Sequence, residues 1–202
     1  MAVHGARVER VSGRANTWIV GDDDEVIVID PGEDAVAVLN AVGEREVLAV
    51  ICTHGHSRHV GAAVEVASPD EAPVALHPAD LVAWREAHSG SDPEIDMEDG
   101  GIFEVADVAL EVLHAPGHTR GSCCLYCEVL GVVFTGDVVT EDGPVRHEDG
   151  FPNWAKQLDA ISAQVLTLPA ETRILPGHGD EFTVAIADKQ FDSWVAAGQG
   201  LA

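Results

Sequence analysis

The sequence predicts a layered α/β (α+β) protein, with two β-sheets packed face to face and helices on the outer sides. Three observations predict it. Short β-branched runs alternate with helical segments from Val26 to Glu86, an extended meander punctuated by turns covers Ile102 to Phe134, and an apolar stripe at helical spacing starts at Trp154. The 46% apolar content of 202 residues can fill one core. With no internal repeat, low-complexity tract or long linker to divide the chain, residues 1–202 are expected to form a single domain.

The elements follow in order. From Arg7 to Ile29 the pattern is extended, and Val26-Ile27-Val28-Ile29 reads as a strand buried on both faces that stops at the turn Asp30-Pro31-Gly32. The Asp22-Asp23-Asp24-Glu25 run reads as a solvated turn. Glu33 to Val42 is helical and closed by Gly43, and a strand runs from Val47 to Cys52. Val60 to Ala67 is helical before Pro69, Val74 to Leu76 is a short strand, and a helix lies near Asp80 to Glu86. The polar stretch from His88 to Gly101 reads as a long loop, and His88 as exposed. After the meander, Trp154, Leu158, Ile161 and Val165 fall at i, i+4, i+7 and i+11, which predicts a helix of about four turns. A strand from Arg173 to Leu175 and a helix from Thr183 to Val195 complete the set.

Charge narrows the partners. Thirty-five acidic against 11 basic residues give a net charge of −24, which repels phosphate backbones and argues against nucleic acid. No apolar run approaches the roughly 20 residues needed to cross a bilayer, and Met1 to Arg7 lacks the apolar segment of a signal peptide, so no membrane partner and a cytoplasmic location are expected. A small molecule is the expected substrate, and nothing indicates an oligomeric state. Cys124 and Cys127 have the spacing of a redox or zinc pair, but on a strand i and i+3 face opposite sides, so the four cysteines read as buried small hydrophobes.

The chemistry concentrates in Thr53-His54-Gly55-His56-Ser57-Arg58-His59, where three imidazoles follow directly on an apolar run. Imidazole is the commonest side-chain ligand for zinc, and His54 and His56, two apart at a strand end, can converge on one ion. Three further polar residues follow apolar runs and sit beside glycine: His118, Asp137 and His178. Glycine lets the backbone turn sharply and approach an ion, and imidazole with carboxylate suits a borderline cation. His77 and His114 read as structural.

Taken together, in this order from Asp30-Pro31-Gly32 to His178, these motifs resemble the metallo-β-lactamase-fold superfamily. The resemblance implies a four-layer αββα sandwich. It matches His54, His56 and His118 to a first metal site, Asp137 to a carboxylate bridging two ions, and His59 and His178 to ligands of a second. The spacing is most similar to glyoxalase II and its shorter relatives, which hydrolyse thioesters, without the long helical C-terminal domain of full-length glyoxalase II. By the same resemblance Asp30 supports a ligand histidine, with turn initiation as its other reading.

Arg58 departs from the family's His-x-His-x-Asp-His pattern, replacing a negative ligand with a permanent cation. A guanidinium about 5 Å from a second dication would meet roughly 6 to 7 kcal/mol of repulsion at an effective dielectric near 20. One Zn2+ is therefore the leading expectation and two the other, unless Arg58 turns to solvent, in which case the second ion is less disfavoured. Arg58 is expected to pair with Asp137, or else to mark a decayed site. The expected activity is hydrolysis of a small ester or thioester by metal-activated water, with Asp137 orienting or deprotonating the water and His178 or Arg58 near the developing oxyanion. Arg120, Arg146 and His147 lie in loops after candidate ligands and are expected to meet an anionic substrate. The alternatives are an Fe2+-dependent persulfide dioxygenase built on His54, His118 and Asp137, and a metal-free binding protein of the same fold.

Overall fold

A computed structural model describes residues 5–146 and 153–199; the expectation placed on His147 falls outside them. The first sheet begins with a hairpin-linked trio, β1 (Arg7–Ser12), β2 (Asn16–Gly21) and β3 (Glu25–Ile29), paired antiparallel. It continues through β4 (Glu46–Ile51), β5 (Val74–Leu76) and β6 (Ile95–Asp96), each parallel to the one before. In the second sheet β7 (Ile102–Val105), β8 (Val108–His114), β9 (Cys123–Cys127) and β10 (Val132–Gly136) form an antiparallel meander. Strand β11 (Arg173–Pro176) then pairs parallel to β10, with β12 (Phe182–Thr183) at the edge.

Three buried clusters define four layers. Trp18, Ile27, Ile29 and Ile51 from the first sheet meet Leu110, Val112, Leu125 and Phe134 from the second between the sheets. The outer face of the first sheet (Ile19, Val28, Val50) is covered by α1 (Ala35–Val42), α3 (Ala63–Ala67) and α4 (Leu81–Ala87) through Val38, Val66 and Trp84. The outer face of the second (Cys124, Val133, Ile174) lies under α5 (Trp154–Ala160) and α6 (Val184–Gln199), through Leu158, Ala187 and Trp194. This is the αββα sandwich. The alternation in β9 sends Cys123, Leu125 and Cys127 between the sheets and Cys124 outward, so its thiols pack as apolar groups; burial pushes Cys124 up to about 12.

Local chemistry explains the boundaries. Asp34 caps α1, its carboxylate accepting from the Ala37 N–H at 3.0 Å, and Gly43 ends the helix at φ +70°. The Asp22 carboxylate accepts from the N–H groups of Asp24 and Glu25, making the solvated turn between β2 and β3. Three readings need revision. The loop from His88 to Gly101 contains β6, held by pairing to β5 rather than by any alternation of its own. His88 is half-buried, its Nε2 at 2.8 Å from the Val60 carbonyl. The helix from Trp154 passes into a π-helical turn at Ile161–Val165. Among the described residues no helix is long and apolar enough to cross a membrane.

Candidate metal centre

Strand ends of both sheets meet at one rim. The segment after β4 carries His54 and His56, and α2 (Ser57–Val60) carries His59. The β8–β9 loop carries His118, Asp137 follows β10 and His178 follows β11. Their donor atoms fall into two triads, His54–His56–His118 and His59–Asp137–His178, each within 4.8 Å of one another, and Asp30 makes a third such group with His54 and His59. Asp137 lies between them: its Oδ2 is 3.4 Å from His59 Nε2 and 3.6 Å from His118 Nε2, and its Oδ1 is 3.4 Å from His178 Nε2.

Glycines make this convergence feasible. Gly136 takes φ +48°, and a Cβ there would stand 2.2 Å from Thr53 Oγ1. A Cβ on Gly177 would stand 2.6 Å from His59 Cε1 and 2.7 Å from Asp137 Oδ1. Asn16 stitches the His178 loop to β2: its Nδ2 donates to the carbonyls of Pro176 at 3.0 Å and Gly179 at 2.9 Å.

Hydrogen bonds on the far side of the His54, His59 and His118 rings orient them. Asp30 accepts from the Thr53 N–H and hydroxyl, each at 2.7 Å, and from His59 Nδ1 at 2.9 Å. With its proton given to Asp30, Thr53 Oγ1 can only accept from His54 Nδ1, at 3.1 Å. His118 Nδ1 donates to the Val145 carbonyl at 3.2 Å, which aims Nε2 at His56 Nδ1, 3.1 Å away. The inward atoms His54 Nε2, His59 Nε2 and Asp137 Oδ1 are buried without a hydrogen-bond partner. Buried polar atoms are nearly always satisfied, so three unpartnered atoms in one cluster, two of them on imidazoles held from behind, fit a cation that displaces any proton there.

Asp80 joins the set from outside the readings made on sequence. Its buried carboxylate accepts from Gly55 N–H at 3.0 Å, Thr119 Oγ1 at 2.7 Å and Gly121 N–H at 2.8 Å. It thereby ties the loop between His54 and His56 to the loop after His118.

The cluster is strongly coupled. Burial, reinforced by the imidazoles of His59 and His118, pushes His54 well below the usual range. Burial would lower His59 too, but Asp137 and Asp30 outweigh it and push it up to about 10. Burial would raise Asp137, yet the charge on His59 and the contact with His178 hold it well below the usual carboxylate range. An imidazole in the unfolded chain titrates near about 6.5. The contribution of His59 to the metal-free fold is therefore complete below that pH and lost as pH climbs toward about 10. Asp137 contributes above the ordinary carboxylate range and loses that contribution in acid. The melting temperature of the metal-free protein is expected to fall from about pH 7 to about pH 10. A level or rising midpoint over that interval would contradict this coupling.

A cavity of about 770 Å³ opens onto the cluster, lined by His56, Arg58, His59, Glu86, Asp137, Arg146 and His178 among others. Arg58 does not pair with Asp137: it is exposed, and no ion pair joins the two. One step along α2 turns the side chain by about 100°, so with His59 aimed inward Arg58 projects to the cavity mouth. Arg146 also lines the cavity, its Cζ 4.4 Å from the Trp154 ring centroid. Arg120 is exposed and is not part of this lining; its carbonyl lies 3.0 Å from His114 Nε2. His77 and His114 stack on each other at 4.3 Å and belong to neither triad.

A family model described as the metallo-beta-lactamase superfamily matches residues 11–178. The chain belongs to the metallo-β-lactamase superfamily. Within that superfamily it is similar to an uncharacterized protein of Aquifex aeolicus, 32% identical over 84% of this chain and 86% of that one. It is also similar to the probable metallo-hydrolase YqgX of Bacillus subtilis, 30% identical over 88% and 90%. Among solved structures, TTHA1623 in a di-iron-bound form aligns with a TM-score of 0.78 at 26% identity, covering 91% of this chain and 97% of that one. The donor set of this superfamily member is that of a metal centre, with zinc and iron both compatible with nitrogen and carboxylate ligands.

Proposed function

We propose that the protein is a metal-dependent hydrolase of a small ester or thioester. The observation that carries this reading is the pair of triads, His54–His56–His118 and His59–Asp137–His178, four of whose residues line an open cavity and three of whose inward atoms are buried without a hydrogen-bond partner. His54, His56 and His118 would hold the first ion, and His59, Asp137 and His178 a second. A dication there would acidify water and polarise an acyl carbonyl.

The protein's own groups do the rest. Asp137, set between the two triads, accepts a hydrogen bond from the attacking water and orients its lone pair. His178, half-buried beside Asp137 Oδ1, faces the cavity where the acyl oxygen would sit. The water oxygen bonds to the acyl carbon as the carbon–sulfur or carbon–oxygen bond breaks. One water proton ends on the leaving thiolate or alkoxide, and the other is released with the carboxylate product. With Arg58 at the mouth and screened by water, the second triad is left open to an ion, so two ions are proposed, the second bound more weakly.

Untagged protein is expected to carry zinc or iron and to cleave an acyl thioester under argon, with loss of activity after chelation. Arg58→Asp should raise occupancy of the second ion; equal occupancy in both proteins rejects the electrostatic role of Arg58. Turnover of a persulfide that consumes oxygen, with iron bound and no anaerobic cleavage, would replace the hydrolase reading.

A further inference from the structure

Most arginines of this acidic chain are committed to carboxylates. Arg7, Arg10, Arg14, Arg45, Arg85 and Arg173 each reach an Asp or Glu oxygen at 2.5 to 3.5 Å. Arg58 and Arg146 have no acidic partner among the described residues, although the chain has 35 acidic groups to 11 basic ones. Both are exposed, and both line the cavity over the triads. Glu86 is on the same wall and pairs with neither.

Two guanidiniums without an acidic partner among the described residues, at one cavity of a chain of net charge −24, make a local positive focus. Each presents a planar fork that takes an oxyanion by two parallel hydrogen bonds. Arg146, which lines the cavity, has its guanidinium over the Trp154 ring, and this support reduces the ordering needed on binding. The net charge of −24 turns away long polyanions, so the fitting ligand is a small molecule with one or two oxyanions.

We propose that Arg58 and Arg146 are the receptor for an oxyanion of the substrate, remote from the bond that is cleaved. This rests on the hydrolase reading and narrows its substrates to anionic esters or thioesters. The anion has two chemical sources, a carboxylate on the acyl side or a phosphate on the thiol side.

Three pantetheine thioesters separate them: S-butanoyl-pantetheine, which is neutral, S-succinyl-pantetheine, with an acyl-side carboxylate, and S-butanoyl-4′-phosphopantetheine, with a thiol-side phosphate. With metal-loaded protein at low salt, at least one anionic thioester is expected to exceed the neutral one in kcat/KM by about tenfold or more, chiefly through KM, and salt should erode the advantage. Arg58→Gln and Arg146→Gln should each reduce that ratio, and the double variant should bring it near one. Calorimetry with ketone analogues, CH2 replacing sulfur, reads the same preference as affinity. Equal kcat/KM for all three, or a preference that survives the double variant, overturns the proposal. If the wild type cleaves none of the three, the hydrolase reading fails separately, and the ketone affinities alone decide whether the arginines select an anion.

Discussion

Replacing Asp137 by Asn is expected to lower kcat for thioester cleavage by about two to three orders of magnitude, equivalent to roughly 3 to 4 kcal/mol of barrier. The amide keeps the volume of the carboxylate, so packing against Gly177 and His59 is preserved and charge is the variable. Two losses combine. The water no longer has a charged acceptor to orient it, and the second triad loses its only anionic donor while three imidazoles remain around the site. Elemental analysis of the same preparation should show the second ion depleted. Wild-type kcat with full metal content in Asp137→Asn would remove Asp137 from the mechanism.

Asp80→Ala is expected to cost about 3 to 4 kcal/mol of unfolding free energy in urea, because two buried backbone N–H groups and a hydroxyl lose a charged acceptor at once. Metal affinity should fall with it by about 10- to 100-fold, since Asp80 sets the distance between the His54–His56 segment and His118 without touching an ion. The site was shaped around this carboxylate: a Cβ on Gly121 would stand 2.8 Å from Asp80 Cγ, and one on Gly55 would stand 2.8 Å from its carbonyl oxygen. An unchanged urea midpoint together with unchanged metal affinity would show that the loops are held by other contacts.

The residues of the two triads were legible in the sequence because their signal is local. His118, Asp137 and His178 each sit beside a glycine, and β10 and β11 run directly into the segments that carry Asp137 and His178. The layers were legible for the same reason, since β3, β4 and β10 announce themselves by apolar runs. What escaped depends on distance along the chain. Asp80 occupies the cap position of α4, where an aspartate ordinarily signals a helix start, but its carboxylate makes no cap and reaches Gly55, 25 residues away, and Gly121, 41 residues away. Strand β6 has two residues and exists through Ala75 and Leu76 opposite it, so no periodicity could mark it. The pairing of Arg58 with Asp137 followed from charge alone; the phase of a four-residue helix beside His59 decides otherwise. In the helix from Trp154, apolar spacing of three and four is the same with or without a π turn at Ile161–Val165.

Each triad draws on both halves of the chain. The first takes two imidazoles from beyond β4 and one from the β8–β9 loop, whereas the second takes one from α2 and two donors from beyond β10 and β11. Divided between β6 and β7, the polypeptide would yield two fragments with three of these donors apiece and neither triad complete on either. Closure of the two triads is thus a late event in biosynthesis: the growing chain cannot complete the first until residue 118 has left the ribosome, nor the second until residue 178 has.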